Sequence, residues 1–274
     1  AASLFSGYPF GPTAKEYQDW FNRGHGRALY QEMYDQAKVR VHVIPCAFGG
    51  AEAGGWFAKE IKSVDDLDGL RMRIFGLGAR VMMRLGTVPV LVPGSRIGEA
   101  FAEGKIDAAE AYTPAVDRAN NLQDSAKILY QPGWIQPATV FEFLINQERW
   151  DSLGPERQSL IERTCGEMLQ RTLSDSANLQ AAALTAFTNQ DSVRILNLPA
   201  DVQGALREVW DQVAQEEGVR DYLFKEVLDD IDAFRSGGIY KEHAEATAID
   251  PAAQKAEEAI PPPPPPGDAT RVGP

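Results

Sequence analysis

The chain has 274 residues, a formal net charge of −12 and a hydrophobic fraction of 44%. This length and hydropathy suffice for a sizeable core and for more than one lobe. The acidic balance argues against a nucleic-acid or anionic-membrane partner, because both are polyanions. An anionic small ligand stays open, since the local charge inside a cleft decides whether it binds.

The first half of the chain alternates between strand and helix patterns. Apolar periodicity predicts a helix over residues 16–37, interrupted by Gly24 and Gly26. Beyond it we expect strands over 39–43, 70–75, 88–92 and from 106, helices over 77–86 and 95–104, and a glycine-rich loop over 49–55. This order predicts an α/β fold with a parallel or mixed sheet covered by helices.

The second half is predominantly helical. A strand over 139–146 precedes a long helix from Pro155 to about Thr188, and two further helices are predicted over 199–216 and 220–247. Residues 251–274 lack apolar periodicity and contain a polyproline run from Pro261 to Pro266, which predicts a disordered Pro-rich tail. A solvated linker is a better interpretation of this tail than a ligand for a proline-reading module.

The cysteine spacing and the N-terminus further limit the kinds of site and of protein that the sequence allows. Cys46 and Cys165 have no spacing typical of zinc sites, and the burial preference of cysteine predicts a free, buried pair rather than a disulfide. No apolar run is long enough to span a membrane. The chain begins at Ala1 without methionine or a leader pattern, which favours a processed or truncated start over a native cytosolic one.

Two charged residues at predicted strand ends are candidates for ligand binding. Arg73 shares a strand face with Arg71, and its guanidinium offers a fork that matches a carboxylate. From spacing alone, a surface arginine is an equal alternative. Glu110 follows the strand that begins at Ile106, where open α/β sheets bind ligands, although a solvated loop acid fits the same pattern.

Two loops complete the candidate set. Glu52 lies in the glycine-rich loop, which lacks a phosphate-binding motif and therefore gives no support to nucleotide binding. Trp134 and Gln136 lie in a stiff, proline-flanked loop that offers an apolar wall and an oxygen acceptor, or simply a turn that packs Trp134 into the core. The histidines have no evident serine, cysteine or aspartate partner, so the sequence gives catalysis little support.

A series of short motifs follows in a specific order between residues 5 and 245. They are Tyr8-Pro9-Phe10-Gly11, Pro45-Cys46, Gly54-Gly55-Trp56-Phe57-Ala58-Lys59-Glu60, Gly69-Leu70-Arg71-Met72-Arg73-Ile74, Gly104-Lys105-Ile106-Asp107-Ala108-Ala109-Glu110 and Tyr130-Gln131-Pro132-Gly133-Trp134. Together they resemble the extracytoplasmic receptors of tripartite ATP-independent periplasmic (TRAP) transporters, a DctP-like family. The resemblance is greatest to the branch that binds 2-oxo and 2-hydroxy monocarboxylates.

The resemblance implies a two-lobed fold, like that of periplasmic binding proteins, with a long interlobe helix. Residues 1–50 and 139–178 would form lobe I, and residues 51–138 and 179–250 would form lobe II. The family begins with a strand–helix–strand segment and an export signal ahead of the position of Ala1. The N-terminal part of the first lobe is therefore expected to be missing.

The resemblance also implies roles for particular residues. Arg73 would bind the substrate carboxylate, and a cation, sodium or calcium, would be held by Glu52, Glu110, Gln136 and the main-chain carbonyl of Ala111. Phe10, Trp56 and Trp134 would supply apolar walls. The branch usually has glutamine at the Glu52 position and glutamate at the Gln136 position, and Trp-Val-Gly in place of Ala111-Tyr112-Thr113. The first difference exchanges the residue types of two cation ligands, and the second changes the pocket wall.

These expectations define one function and two alternatives. We expect a periplasmic receptor that is not an enzyme. It would capture a small 2-oxo or 2-hydroxy acid and deliver it to TRAP membrane permease subunits. A homodimer is left open. A ligand-sensing subunit of a signalling system would bind the same ligands. An α/β enzyme acting on a small organic acid would use Glu52 and Glu110 as acid and base.

Overall fold

The strands form two separate sheets. The computed structural model describes residues 1–237, and within them the strands are β1 (Val41–Gly49), β2 (Gly55–Phe57), β3 (Arg71–Arg73), β4 (Val88–Pro89), β5 (Ala108–Ala109), β6 (Ile128–Tyr130), β7 (Thr139–Asn146) and β8 (Arg194–Leu196). One sheet has six strands in the order β4-β3-β5-β2-β6-β8, and the other consists of β1 and β7 alone. The prediction of an α/β fold is confirmed.

The six-stranded sheet is mixed, as expected. β3 runs parallel to both β4 and β5, and β6 runs parallel to β8, whereas β2 is antiparallel to β5 and β6. This topology brings the loop before β2 next to the loop after β5, because Trp56 pairs with Ala109. The segments around Glu52 and Glu110 therefore meet at one edge of the sheet.

Helices account for most of the described chain. They are α1 (Ser3–Ser6), α2 (Ala14–Arg23), α3 (Gly26–Gln36), α4 (Gly76–Arg84), α5 (Ile97–Ala102), α6 (Pro114–Ala119), α7 (Gln147–Ser152), α8 (Pro155–Asn189), α9 (Ala200–Arg220) and α10 (Tyr222–Ser236). Pro155 opens α8, as the sequence predicts, since proline suits a first helical turn whose N–H groups have no partner. Within residues 1–237 no helix has the length and hydropathy needed to cross a lipid bilayer.

The single helix predicted over residues 16–37 is wrong, because the segment forms two helices. α2 ends at Arg23 and α3 begins at Gly26. A Cβ on Gly24 or on Gly26 would lie 2.7 Å from the ring of Trp20, so only glycine lets the chain turn against that indole. The result is an aromatic core between the helices, formed by Phe5, Tyr17, Trp20, Phe21 and Tyr30.

The expectation of free cysteines is also wrong. Cys46 and Cys165 form a disulfide that joins β1 to α8, across a sequence separation of 119 residues. The β1–β7 register shifts between Pro45 and Ala47, so Cys46 lies at an irregularity of the ladder, in the same apolar cluster as Cys165. Only the packing of α8 across β1 brings the two sulfur atoms together.

Residues Ala1–Phe234 form one compact unit. The strands β1 and β7 fall in the ranges predicted for lobe I, and the other strands fall in those predicted for lobe II. The lobe boundaries themselves stay a prediction. The predicted Pro-rich tail and the end of the helix predicted over 220–247 lie outside the described residues.

Candidate ligand-binding site

The two arginines of β3 have different environments. Arg71 is half-exposed and forms a bidentate pair with Asp107, with Nε–Oδ2 and Nη2–Oδ1 distances of 2.8 and 2.7 Å. Arg73 is only 5% exposed, and its Nη1 donates to Glu110 Oε2 at 2.8 Å and to the Glu110 carbonyl at 2.5 Å. Arg73 is therefore the arginine at the buried end of the strand.

Glu52 and Glu110 meet beside Arg73. Glu110 is 5% exposed, and its carboxyl group is in hydrogen-bonding contact with that of the partly buried Glu52. Burial and the neighbouring Glu110 raise the pKa of Glu52 to about 9. Burial also raises the pKa of Glu110, although the positive charge of Arg73 opposes that effect. Two acids thus share one arginine in a poorly solvated site.

A third acid, Asp117, lies directly behind this pair. Its side chain is fully buried, and it accepts hydrogen bonds from Trp56 Nε1 at 2.9 Å and from the Tyr112 backbone N–H at 3.0 Å. Burial raises the pKa of Asp117 to about 7. Sequence reasoning missed this residue. Its place four residues after Thr113, in the first turn of α6, is equally typical of an exposed helix start.

The predicted aromatic walls separate into two locations. Trp56 is fully buried in the interior, in edge contact with Phe187 of α8 at a centroid distance of 5.1 Å. Phe10 and Trp134 form a separate pair with ring centroids 5.5 Å apart, and the Phe10 N–H donates to the Trp134 carbonyl. Arg207 of α9 lies over the Phe10 ring.

The main chain of Gln136 and that of Ala111 lie close to Glu52 and Glu110. The Glu52 N–H donates to the Gln136 carbonyl at 3.0 Å, and the Gln136 side-chain Nε2 donates to Thr139 Oγ1 at 2.8 Å. Ala111 is buried and lies between Glu110 and Tyr112 in the sequence. The carbonyl of Tyr112 accepts a hydrogen bond from the N–H of Ala53. The structure therefore brings the loops of all four predicted cation ligands together.

A cavity of about 490 Å³ opens beside Glu52. Its apolar wall comes from β1, α6, β7 and α8, through Phe48, Val116, Phe141 and Leu179. Within the described part of the chain, its charged lining residues are Glu52 and Asp175, both acidic. Glu52 thus borders a largely apolar space on which residues 1–237 place no cationic side chain.

The family assignment follows from the whole described fold. The family model for bacterial extracellular solute-binding proteins, family 7 (DctP), matches residues 2–220. The chain belongs to this family. The resemblance noted in the sequence is confirmed, and so is the placement among periplasmic, extracytoplasmic receptors at the level of the family.

A curated relative and two solved structures agree with this assignment. A monocarboxylate 2-oxoacid-binding periplasmic protein from Nostoc is 34% identical over 235 residues, which are 86% of this chain and 64% of the relative. A TRAP solute-binding protein from Bordetella bronchiseptica, solved with calcium and picolinate, is 29% identical with a TM-score of 0.83. The match covers 93% of this chain and 76% of that protein.

A second TRAP solute-binding protein, from Pseudoalteromonas atlantica, was solved with sodium and pyruvate. It is 30% identical with a TM-score of 0.77, and the match covers 94% of this chain and 76% of that protein. These likenesses confirm the two-lobed α/β fold of TRAP receptors. The chain spans slightly less than two thirds of the curated relative's length.

The residues of this chain fit a bound cation of the kind seen in these neighbours. Glu52 Oε2 is buried without a hydrogen-bond partner, beside a second carboxylate. Within residues 1–237 no three His, Cys, Asp or Glu side chains gather into a metal-binding cluster. An ion here would therefore need amide and carbonyl oxygens besides the two glutamates, which is a donor set that hard cations accept.

Proposed function

We propose that the chain captures a small 2-oxo or 2-hydroxy monocarboxylate together with a sodium or calcium ion, outside the cytoplasm, for delivery to a TRAP membrane permease. The named ligands of the relatives support the ligand class: a monocarboxylate 2-oxoacid for the Nostoc protein and pyruvate for the Pseudoalteromonas protein. The local chemistry supports it independently.

The observation that carries the proposal is the buried cluster of Arg73, Glu110 and Glu52. The hydrogen bonds of Arg73 within residues 1–237 use Nε and Nη1, so Nη2 is left for a ligand carboxylate. A guanidinium in a poorly solvated cleft binds a carboxylate through short, charge-assisted bonds. The arginine then serves as the anchor for the acid group of the ligand.

Charge balance explains why a cation belongs in the same site. With its pKa raised to about 9, Glu52 keeps its proton at neutral pH while no cation is bound. Once Glu52 is ionised, the ligand carboxylate, Glu52 and Glu110 place three negative charges against the single positive charge of Arg73. Two uncompensated negative charges in a buried site are strongly unfavourable. A cation, when bound, supplies the missing positive charge, and Glu52, Glu110, Gln136 and the Ala111 carbonyl would hold it.

The cavity beside Glu52 favours a ligand with one carboxylate. Its apolar lining suits a short carbon chain, since burial of apolar surface is favourable there. A second carboxylate in the cavity would meet the acids Glu52 and Asp175, and none of the described lining residues is cationic. Dicarboxylates are therefore expected to bind more weakly than pyruvate.

The test is a double-mutant cycle on Glu52 and Gln136. We expect Glu52→Gln to weaken binding of cation and pyruvate, because one charged oxygen ligand is lost. Gln136→Glu alone should crowd the site with a third acid, and the double variant should recover affinity. Such non-additivity is expected of residues that share one partner, and its dependence on the cation separates a shared ion from the direct backbone contact between Glu52 and Gln136.

Each of the four proteins is titrated calorimetrically with pyruvate, with and without sodium or calcium. Glu99→Gln is the matched control, since Glu99 pairs with Arg96 on the surface and should have no effect. Additive effects of the two substitutions, or pyruvate binding that ignores every cation, would overturn the shared-ion proposal.

The proposed role requires no bond to be made or broken. A carboxyl pair such as Glu52 and Glu110 can in principle exchange a proton with a ligand, so the enzyme alternative has a definite test. Pyruvate and longer 2-oxo acids, incubated with the protein and followed by proton NMR, should be recovered unchanged. Turnover that disappears in Glu110→Gln would favour the enzyme instead.

A further inference from the structure

Among residues 1–237, Asp117 is the fully buried acid near the site that the proposed function leaves without a role. Both of its oxygens are used, one by the indole N–H of Trp56 and one by the backbone N–H of Tyr112. Both donors are neutral, so the carboxylate is buried without a hydrogen-bonded positive partner. Such a costly arrangement is retained where geometry matters.

The Tyr112 N–H belongs to the same peptide unit as the Ala111 carbonyl. A trans peptide is planar, and its N–H and C=O point in opposite directions. A hydrogen bond from Asp117 to that N–H therefore fixes the direction of the Ala111 carbonyl oxygen, on the side away from α6. It also increases the negative charge on that oxygen, because hydrogen bonds in series polarise one another.

The next peptide is held from the other side. The Tyr112 carbonyl accepts a bond from the Ala53 N–H, one residue after Glu52, at 3.2 Å. Trp56, the second donor to Asp117, lies in β2 and pairs with Ala109 of β5. Asp117 thus ties the segment after Glu110 to the segment after Glu52, which are the two segments that would face the ion.

We propose that Asp117 is a positioning residue of the cation site, which orients the Ala111 carbonyl as a ligand by binding the N–H of the same peptide. This inference rests on the proposed function, since it assigns Asp117 a role only if a cation binds beside Glu52 and Glu110. Asp117 does not touch the ion or the organic ligand. It acts through the peptide between Ala111 and Tyr112.

The first test is the isosteric variant Asp117→Asn. An asparagine has a single acceptor oxygen, so it can satisfy only one of the two donors while its NH₂ group faces the other. Loss of an outer partner of this kind weakens metal binding by about 10- to 100-fold. We expect a loss of that size in calcium affinity, measured calorimetrically in the full chain at saturating pyruvate.

Tyr130→Phe is the matched control for a general loss of stability. Tyr130 is a fully buried residue of β6, and within residues 1–237 the hydroxyl that the substitution removes is hydrogen-bonded only to Ile61, accepting from its N–H at 2.7 Å. Its calcium affinity should stay within about twofold of wild type, as expected for an independent site. Equal losses of affinity in the two variants would show that Asp117 acts only through the fold.

A spectroscopic test needs no variant, because Ala-Tyr occurs once in the sequence. Labelling alanine with ¹³C at the carbonyl and tyrosine with ¹⁵N isolates one peptide, that of Ala111 and Tyr112. Calcium should shift the Ala111 carbonyl resonance, and Asp117→Asn should move the Tyr112 amide proton upfield. If Asp117→Asn does not fold, the wild-type calcium titration decides alone: an unmoved carbonyl resonance at saturating calcium overturns the inference.

The two proposals fail in different ways. A wild-type protein that binds neither calcium nor pyruvate would overturn the proposed function, and this inference with it. Calcium binding that is unchanged in Asp117→Asn would overturn this inference alone and leave the proposed function standing.

Discussion

Replacing Arg73 by lysine tests the anion anchor without removing its charge. Arg73 and Glu110 form a buried ion pair, with side chains 6% and 7% exposed. Truncation to alanine would leave Glu110 unpaired and cost about 3–5 kcal/mol of stability, which would confuse binding with folding. Lysine keeps the positive charge beside Glu110, but its single ammonium group cannot replace both the Nη1 contacts to Glu110 and the Nη2 donor left for the ligand carboxylate.

The structure gives the expected magnitudes. A hydrogen bond to a charged group contributes about 1.5–3 kcal/mol, so loss of one from the pyruvate carboxylate should weaken binding by about 10- to 150-fold. The lost bond to the Glu110 carbonyl should lower the free energy of unfolding by about 1–3 kcal/mol. Both quantities are to be measured on the same protein preparation. Calorimetry with pyruvate gives the affinity, and urea denaturation gives the free energy of unfolding.

Arg71→Lys is the matched control on the same strand face. Arg71 pairs with Asp107 at 44% and 34% side-chain exposure, and solvent screens a surface pair of this kind, so its loss has little effect. Pyruvate affinity should therefore be unaffected. The assignment of Arg73 as anchor would be refuted by an Arg73→Lys protein that binds pyruvate as wild type does, or by equal losses in both variants.

Two further predictions concern stability. Replacing both Cys46 and Cys165 by alanine should lower the free energy of unfolding by up to about 5 kcal/mol, because the bridge closes a loop of 119 residues. Urea denaturation measures this change, and a change near zero would contradict the bond. The hydrogen bond and charge of Asp230 raise the pKa of His25, so this pair should stabilise the fold below the ordinary histidine pKa and lose its effect as the pH rises through the raised value. NMR titration of His25 should show the raised pKa, and Asp230→Asn should lower it. A His25 pKa unaffected by that change would disprove the pairing.

Local patterns determined much of what was predicted correctly. The strand over residues 139–146 and the helix from Pro155 to about Thr188 were predicted almost to the residue, because alternation and helical periodicity extend over many positions there. Strand ends made Arg73 and Glu110 candidates, with a surface arginine and a solvated loop acid left open, and the tertiary structure buries both side chains. The family motifs then indicated the receptor class, since their order along the chain is itself a sequence property.

Short strands and distant partners required the tertiary structure. The three-residue strands β2, β6 and β8 hold too few residues to show a period, and their pairing in the sheet alone defines them. The Cys46–Cys165 bridge and the burial of Asp117 each depend on elements far apart in the sequence coming into contact. An aspartate in the first turn of a helix has the same local pattern whether it faces water or Trp56, and only the packing of α6 against β2 decides between them.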